Sequence, residues 1–263
     1  MASFTFETTP KIICEQGGAD RLGEIARGLN ISRLFLVTDA GLVRAGLIEG
    51  ALASLAKAQV AVTVFSDVLA DPPELSVQAA VDAARAAGAD GVVGFGGGSS
   101  MDTAKLVALL ARTPQSLPSI YGIGLAQGPR LSLIQVPTTA GTGSEVTPIS
   151  ILTTPSHEKK GVVSPLLYPD VALLDGRLTL GLPAAVTAMT GVDAMVHAIE
   201  AFTTRLKKNP LSDALAIKAY LFTLPAVHAP ARENKIAWPF NQRGLMGGLG
   251  LQGSKITRIH PGP

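Results

Sequence analysis

The stretch from Gly91 to Lys105, Gly91-Val92-Val93-Gly94-Phe95-Gly96-Gly97-Gly98-Ser99-Ser100-Met101-Asp102-Thr103-Ala104-Lys105, limits the folds open to this chain more than any other. An apolar strand runs straight into three glycines and then into residues with helical spacing. With no side chains at Gly96, Gly97 and Gly98, the backbone can approach another group closely and a strand can turn sharply into a helix. Strands that alternate with helices in this way build βαβ units around a mostly parallel sheet. The amides at the start of such a helix point at an anion, for which a pyrophosphate is the natural occupant. For glycines alone, a ligand-free tight turn is an equally good reading.

The rest of the first two-thirds repeats the alternation. Leu34–Val37, Val60–Phe65, Leu131–Val136 and Val171–Leu174 read as buried strands. After the Asp71-Pro72-Pro73 break, Ser76–Ala87 puts Val77, Ala80, Val81 and Ala84 on one helical face, and Asp102–Leu110 reads as the helix behind the glycines. Beyond Pro183 strand signals stop. Ala184–Thr204 reads as helix with an interruption near Gly191, and a second helix over Leu211–Leu221 can start at Pro210. The pattern predicts an α/β domain over residues 1–182, then helices over 183–263 that give way to an irregular tail from about residue 235.

Composition excludes several classes. Hydrophobic residues make up 47% and charged residues 16% of 263, which argues against disorder. A net charge of +2 offers no nucleic-acid surface. No uncharged apolar segment reaches membrane-spanning length. Cys14 is the single cysteine, so no internal disulfide forms, and Met1–Glu7 lacks the basic and apolar regions of a secretory signal; a cytoplasmic protein is expected.

Four further features carry chemistry. Ser99 and Asp102 have the spacing of a capping box on the helix behind the glycines, and Lys105 does not fit a Walker A loop. Pro137-Thr138-Thr139-Ala140-Gly141-Thr142-Gly143-Ser144-Glu145-Val146-Thr147-Pro148 offers hydroxyls beside flexible glycines, suited to phosphate and ribose without adding charge. Asp39, at the end of the first clear strand, can accept from an adenosine ribose and repel a 2′-phosphate. Asp193 and His197 are four apart, so on a helix they share one face and can converge on a divalent cation such as iron or zinc. As isolated features, a surface loop, an ordinary loop Asp and a local Asp–His hydrogen bond are the simpler readings.

Taken in order, these motifs resemble the iron-containing alcohol dehydrogenase family, related to glycerol dehydrogenases and dehydroquinate synthases. The similarity runs from about Phe6 to Ala219, through Gly191-Val192-Asp193-Ala194-Met195-Val196-His197 and Asn209-Pro210-Leu211-Ser212-Asp213-Ala214. It implies a parallel-sheet dinucleotide-binding domain followed by an incomplete all-helical, metal-binding domain. Asp39, Gly96, Gly97, Gly98, Ser99, Ser100, Asp102, Thr138, Thr139, Thr142, Thr147 and Lys159 would hold the cofactor, NAD rather than NADP. Lys159 lies in Lys159-Lys160-Gly161-Val162-Val163-Ser164-Pro165, which resembles the family's lysine segment; adjacent Lys160 fits it equally, and a solvated basic pair is the simpler reading of the two. Asp193 and His197 would bind the metal.

The implied reaction interconverts a small alcohol and its aldehyde or ketone, in a homodimer. A maleylacetate reductase and a non-catalytic nucleotide-binding remnant are the alternatives. In the family two later histidines complete the metal site. Here only His228 and His260 follow His197, each in loop-like sequence or beside proline, while His157 precedes the metal helix and is expected to face solvent. Two ligands fall short of the three or more usual for a catalytic metal. The residues touching the reacting atoms stay unassigned, and the foreign texture of Lys235–Pro263 is expected from truncation or a shifted reading frame.

Overall fold

The computed structural model describes residues 3–228. In chain order these form β1 (Ile12–Cys14), α1 (Leu22–Gly28), β2 (Arg33–Val37), α2 (Ala40–Arg44), α3 (Glu49–Lys57), β3 (Ala61–Phe65), α4 (Glu74–Ala86), β4 (Gly91–Gly96) and α5 (Gly98–Leu110). There follow β5 (Gly122–Ile123), β6 (Ser132–Pro137), β7 (Ile149–Thr153), β8 (Lys159–Val163), β9 (Val171–Leu174), α6 (Ala184–Thr203) and α7 (Pro210–His228). Ala231–Asn234, the tail from Lys235, and His260 lie outside the described residues.

Six strands pair in the order β1-β9-β6-β4-β2-β3, and every pairing is parallel. Such a sheet is covered on both faces, and alternate residues divide between them. Phe35, Val37, Val92 and Leu133 meet Val77, Ala80, Val81 and Ala84 of α4 and Leu106–Leu110 of α5 on one face. Leu34, Leu36, Val93, Phe95, Ile134 and Val136 meet Leu22 and Ala26 of α1 and Ala51 and Leu55 of α3 on the other. At roughly 1.5–3 kcal/mol for each large apolar side chain buried, this alternation fixes the register, because a slip by one residue would invert both faces.

Four elements differ from expectation. β3, expected as a buried strand, is the edge of the sheet, paired on one side only, and is largely exposed. β1, only three residues long, carries too little periodicity to read, and is placed by pairing with β9 at the sheet edge. A small sheet, β5-β8-β7, was also not anticipated; β7 and β8 pair antiparallel, with Ser150, Leu152 and Val162 buried and Ile151 and Lys159 exposed. Finally, α6 runs through Gly191 without interruption. Gly191 is buried there, and the neighbouring Thr190 carbonyl sits so close to Gly141 that a Cβ on Gly141 would stand 2.5 Å from it. It is the missing side chain of Gly141 that lets the threonine run pack this closely on α6. No helix among the described residues is long and apolar enough to cross a membrane.

The connection that follows β2 places α3 on one face of the sheet, whereas the one that follows β4 places α5 on the other. Since β2 and β4 are neighbours, the chain order reverses between them. At such a switch point the loops beyond the carboxyl ends of the strands part and leave a crevice. Asp39 follows β2, the triple glycine follows β4, and the Thr-rich run follows β6.

Candidate active site

The helix behind the glycines starts earlier than expected. α5 begins at Gly98 with Gly97 in the N-cap position, and no side chain caps it. The Ser99–Asp102 capping box is therefore corrected: both residues lie inside the helix. The reason is Gly96, whose φ of 155° lets the chain enter the helical turn directly. A Cβ there would stand 2.6 Å from Ser100 Oγ. The amides of the first turn have no acceptor within the helix and are left to an external anion. Ser100 itself is buried against Gly96.

The Thr-rich run packs directly onto this turn. Thr138 N donates to Gly96 O at 2.9 Å, which carries the β4–β6 pairing past the strand ends, and the Thr138 side chain is buried. Thr139 lies against Gly97, and its buried Oγ1 has no hydrogen-bond partner. Thr142 lies against Gly98, where a Cβ would meet Thr142 Cγ2 at 3.0 Å. Gly143, in the left-handed region at φ 63°, then turns the chain into Ser144–Val146.

Beneath this turn lies a charged cluster that sequence reasoning missed. Lys105 is fully buried, and its ammonium donates to Ser144 Oγ (2.9 Å), Thr147 Oγ1 (2.9 Å) and Ile149 O (2.6 Å). Asp102 Oδ1 lies 3.7 Å from Lys105 Nζ and accepts from Ser144 Oγ at 2.6 Å, while Oδ2 accepts from Ile151 N at 2.9 Å. Glu145 is 2% exposed. Burial lowers Lys105 to about 8, against the opposing pull of Asp102 and Glu145. Burial likewise raises Glu145 to about 7, opposed by its own backbone amide and by Lys105. The Asp102 carboxyl is pushed up by burial and drawn back by Lys105, Ser144 and Ile151. The available signal was a lysine in an otherwise largely apolar stretch, Met101–Leu110.

These parts wall a cleft of about 450 Å³. Gly98, Ser99 and Asp102 form one side and Gly141, Thr142, Gly143, Ser144 and Thr147 another; Asp193, Ala194 and His197 of α6 close the far side with Leu215 and Ala219 of α7. Lys159 lines the mouth and pairs with Asp71 at 2.5 Å, whereas Lys160 pairs with Glu158 at 2.9 Å. Asp39 stands apart: it caps α2, its Oδ1 accepting from Gly41 N (2.8 Å) and Leu42 N (3.1 Å). Gly96, Gly97, Ser100, Thr138 and Thr139 support the cleft from behind rather than line it. His157 is exposed, away from the cleft.

On α6, His197 Nε2 and Asp193 Oδ1 are 3.6 Å apart, and His197 Nδ1 lies 3.4 Å from Gly141 O. Imidazole and carboxylate on adjacent turns suit a divalent metal in kind. In number they do not: no group of three or more His, Cys, Asp or Glu that could hold a metal occurs among the described residues. His228 ends α7, and its side chain lies outside the described residues.

A doubly wound parallel sheet with an uncapped, glycine-started helix at its switch point defines an α/β nucleotide-binding class of protein. The family follows from sequence. A model of "Iron-containing alcohol dehydrogenase" matches residues 9–176, and one of "Fe-containing alcohol dehydrogenase family, C-terminal" matches residues 187–229. The chain belongs to the iron-containing alcohol dehydrogenase family. It is 40% identical over 218 residues to sulfoacetaldehyde reductase of Bilophila wadsworthia (strain 3_1_6), covering 82% of this chain and 56% of that protein. It is 44% identical over 216 residues to the probable alcohol dehydrogenase EutG of Salmonella typhimurium, covering 82% and 54%.

Among solved structures, 1,3-propanediol oxidoreductase matches with a TM-score of 0.86 at 30% identity, covering 90% of this chain and 62% of that one. Sulfoacetaldehyde reductase from Bifidobacterium kashiwanohense in complex with NAD+ matches with a TM-score of 0.81 at 32% identity, covering 88% and 62%. The chain thus spans about half the length of the curated relatives it matches.

Proposed function

We propose that this chain carries the NAD-binding module and two metal ligands of an oxidoreductase that interconverts a small alcohol and its aldehyde or ketone. The cleft carries this reading: an uncapped helix start, a hydroxyl-rich turn and the Asp193–His197 pair meet around one space. The first-turn amides of α5 would take the pyrophosphate, helped by the helix dipole. The cleft-lining Thr142 and Thr147 fit a polar, anionic ligand, with Thr138 and Thr139 supporting the turn behind them. Asp39 would accept from the ribose, and Lys159, held by Asp71, would complete the cofactor side. We assign residues 1–182 to the cofactor domain and the helices from residue 183, α6 and α7, to a metal-binding domain.

NAD, when bound, supplies the hydride acceptor or donor. Asp193 and His197 would be two ligands of iron or zinc; two fall short of a catalytic site, so no step is derived through the metal. Relatives named for a small aldehyde and for alcohols support the substrate class. A single cysteine, Cys14, accords with a cytoplasmic setting, and a homodimer is inferred from the family.

The absence of a three-donor metal cluster among the described residues favours one second reading, a nucleotide-binding protein without turnover. Calorimetry with NAD, alongside alcohol oxidation with added iron(II) or zinc(II), separates the two. Binding with turnover that is lost in His197→Ala supports the dehydrogenase. Binding without turnover supports the second reading, and a chain that binds no dinucleotide refutes both.

A further inference from the structure

The Lys105 ammonium is saturated. Its three N–H groups meet three acceptors at 2.6–2.9 Å, and two of those acceptors are hydroxyls. A hydroxyl that accepts from an ammonium must send its own proton elsewhere. Ser144 sends its proton to Asp102 Oδ1 at 2.6 Å. Thr147 has only Ser144 O within reach, at 3.4 Å, beyond the usual length of an O–H···O bond. Yet Thr147 lines the cleft, which Lys105 does not. Resting on the NAD reading above, we propose that Lys105 is a positioning residue that fixes the Thr147 hydroxyl as a donor into the cleft, towards an acceptor oxygen of the dinucleotide.

With one lone pair of Thr147 Oγ1 taken by the buried ammonium, its proton is directed away from Lys105 and is left for a phosphate, carbonyl or ribose oxygen. The charged groups facing Lys105 are Asp102 from its own helix and Glu145 from the turn opposite. Neither accepts from Thr147. The third ammonium bond, to Ile149 O at the start of β7, ties the same lysine to the small sheet.

The test is NAD affinity by calorimetry on the full chain at pH 7, for wild type, Thr147→Val, Thr147→Ser, Lys105→Met and the Lys105→Met/Thr147→Val double variant. Loss of one oriented hydrogen bond predicts roughly 10-fold weaker binding in each of Thr147→Val and Lys105→Met. The double variant should be no weaker than either, and Thr147→Ser should bind within about 2-fold of wild type. If Lys105→Met does not fold, pH replaces it. Wild-type affinity should fall as pH passes about 8 and the ammonium loses a donor, while Thr147→Val stays flat.

Losses that multiply in the double variant would make Lys105 a mere structural pin and overturn the inference. So would a Thr147→Val chain that binds as tightly as wild type, or one whose affinity falls with pH as wild type does. A wild-type chain that binds no NAD refutes the cofactor reading itself, a result distinct from these.

Discussion

Replacing Glu145 with glutamine should stabilise the protein above neutral pH and leave it unchanged in acid. Glu145 is 2% exposed, and burial lifts its carboxyl from 4.5 to about 7. In the unfolded chain it ionises at the ordinary value, so between the two pH values the native state holds a proton that the unfolded state has lost. Stability from this group is therefore fully present below about 4.5, declines as pH rises, and is gone above about 7. The interval corresponds to roughly 3 kcal/mol, at about 1.4 kcal/mol for each factor of ten in proton affinity. Glutamine fills nearly the same volume and never ionises, so it avoids that loss.

Urea unfolding at pH 5 and pH 8 reads the difference directly. Near pH 5 the two proteins should have similar midpoints. At pH 8 Glu145→Gln should be more stable by roughly 3 kcal/mol, a figure that already includes the attraction of the carboxylate to Lys105. Equal destabilisation of Glu145→Gln at both pH values would refute the reasoning. It would mean that the carboxylate is ionised in the folded protein and held by Lys105 strongly enough to overcome its burial.

Lys105, lowered to about 8, works in the opposite direction: between about 8 and 10.5 the unfolded chain keeps a proton that the native state releases, so stability should rise with pH there. Urea midpoints at pH 8.5 and 10 should show that rise in wild type and not in Lys105→Met. Gly96→Ala puts a Cβ 2.6 Å from Ser100 Oγ at a φ of 155° and should cost about 2–4 kcal/mol in chemical denaturation. Asp39→Ala removes the α2 cap, for about 1 kcal/mol of stability, and should narrow the preference for NAD over NADP when the two dissociation constants are compared. A stability loss with an unchanged cofactor ratio would leave Asp39 as a cap alone.

How much of this was legible depends on the distance over which each residue finds its partners. The inner strands of the large sheet were readable because both their faces are covered, so that Leu34–Val37 is apolar throughout and Leu131–Val136 is interrupted only by Ser132 and Gln135. The buried face of α4 was readable for the same reason, from its spacing alone. Local rules failed where a nearer influence displaced them. Ser-x-x-Asp is a cap only if the helix starts there, and the helix starts already at Gly98, with Gly97 in the cap position.

Asp102 was then free to reach across the chain. Its partners, Ser144 and Ile151, are more than 40 residues away, as are those of Lys105 except Ser144, at 39. Sequence spacing reports on one element at a time, and a lysine in a helix reads as solvent-facing until acceptors for its three donors are located. Here all three come from the turn after β6 and the first residue of β7. The same long-range pairing that hid Lys105 is what joins the glycine turn to the threonine turn. It makes the cleft a property of two loops meeting, legible as separate motifs but not as a charged cluster beneath them.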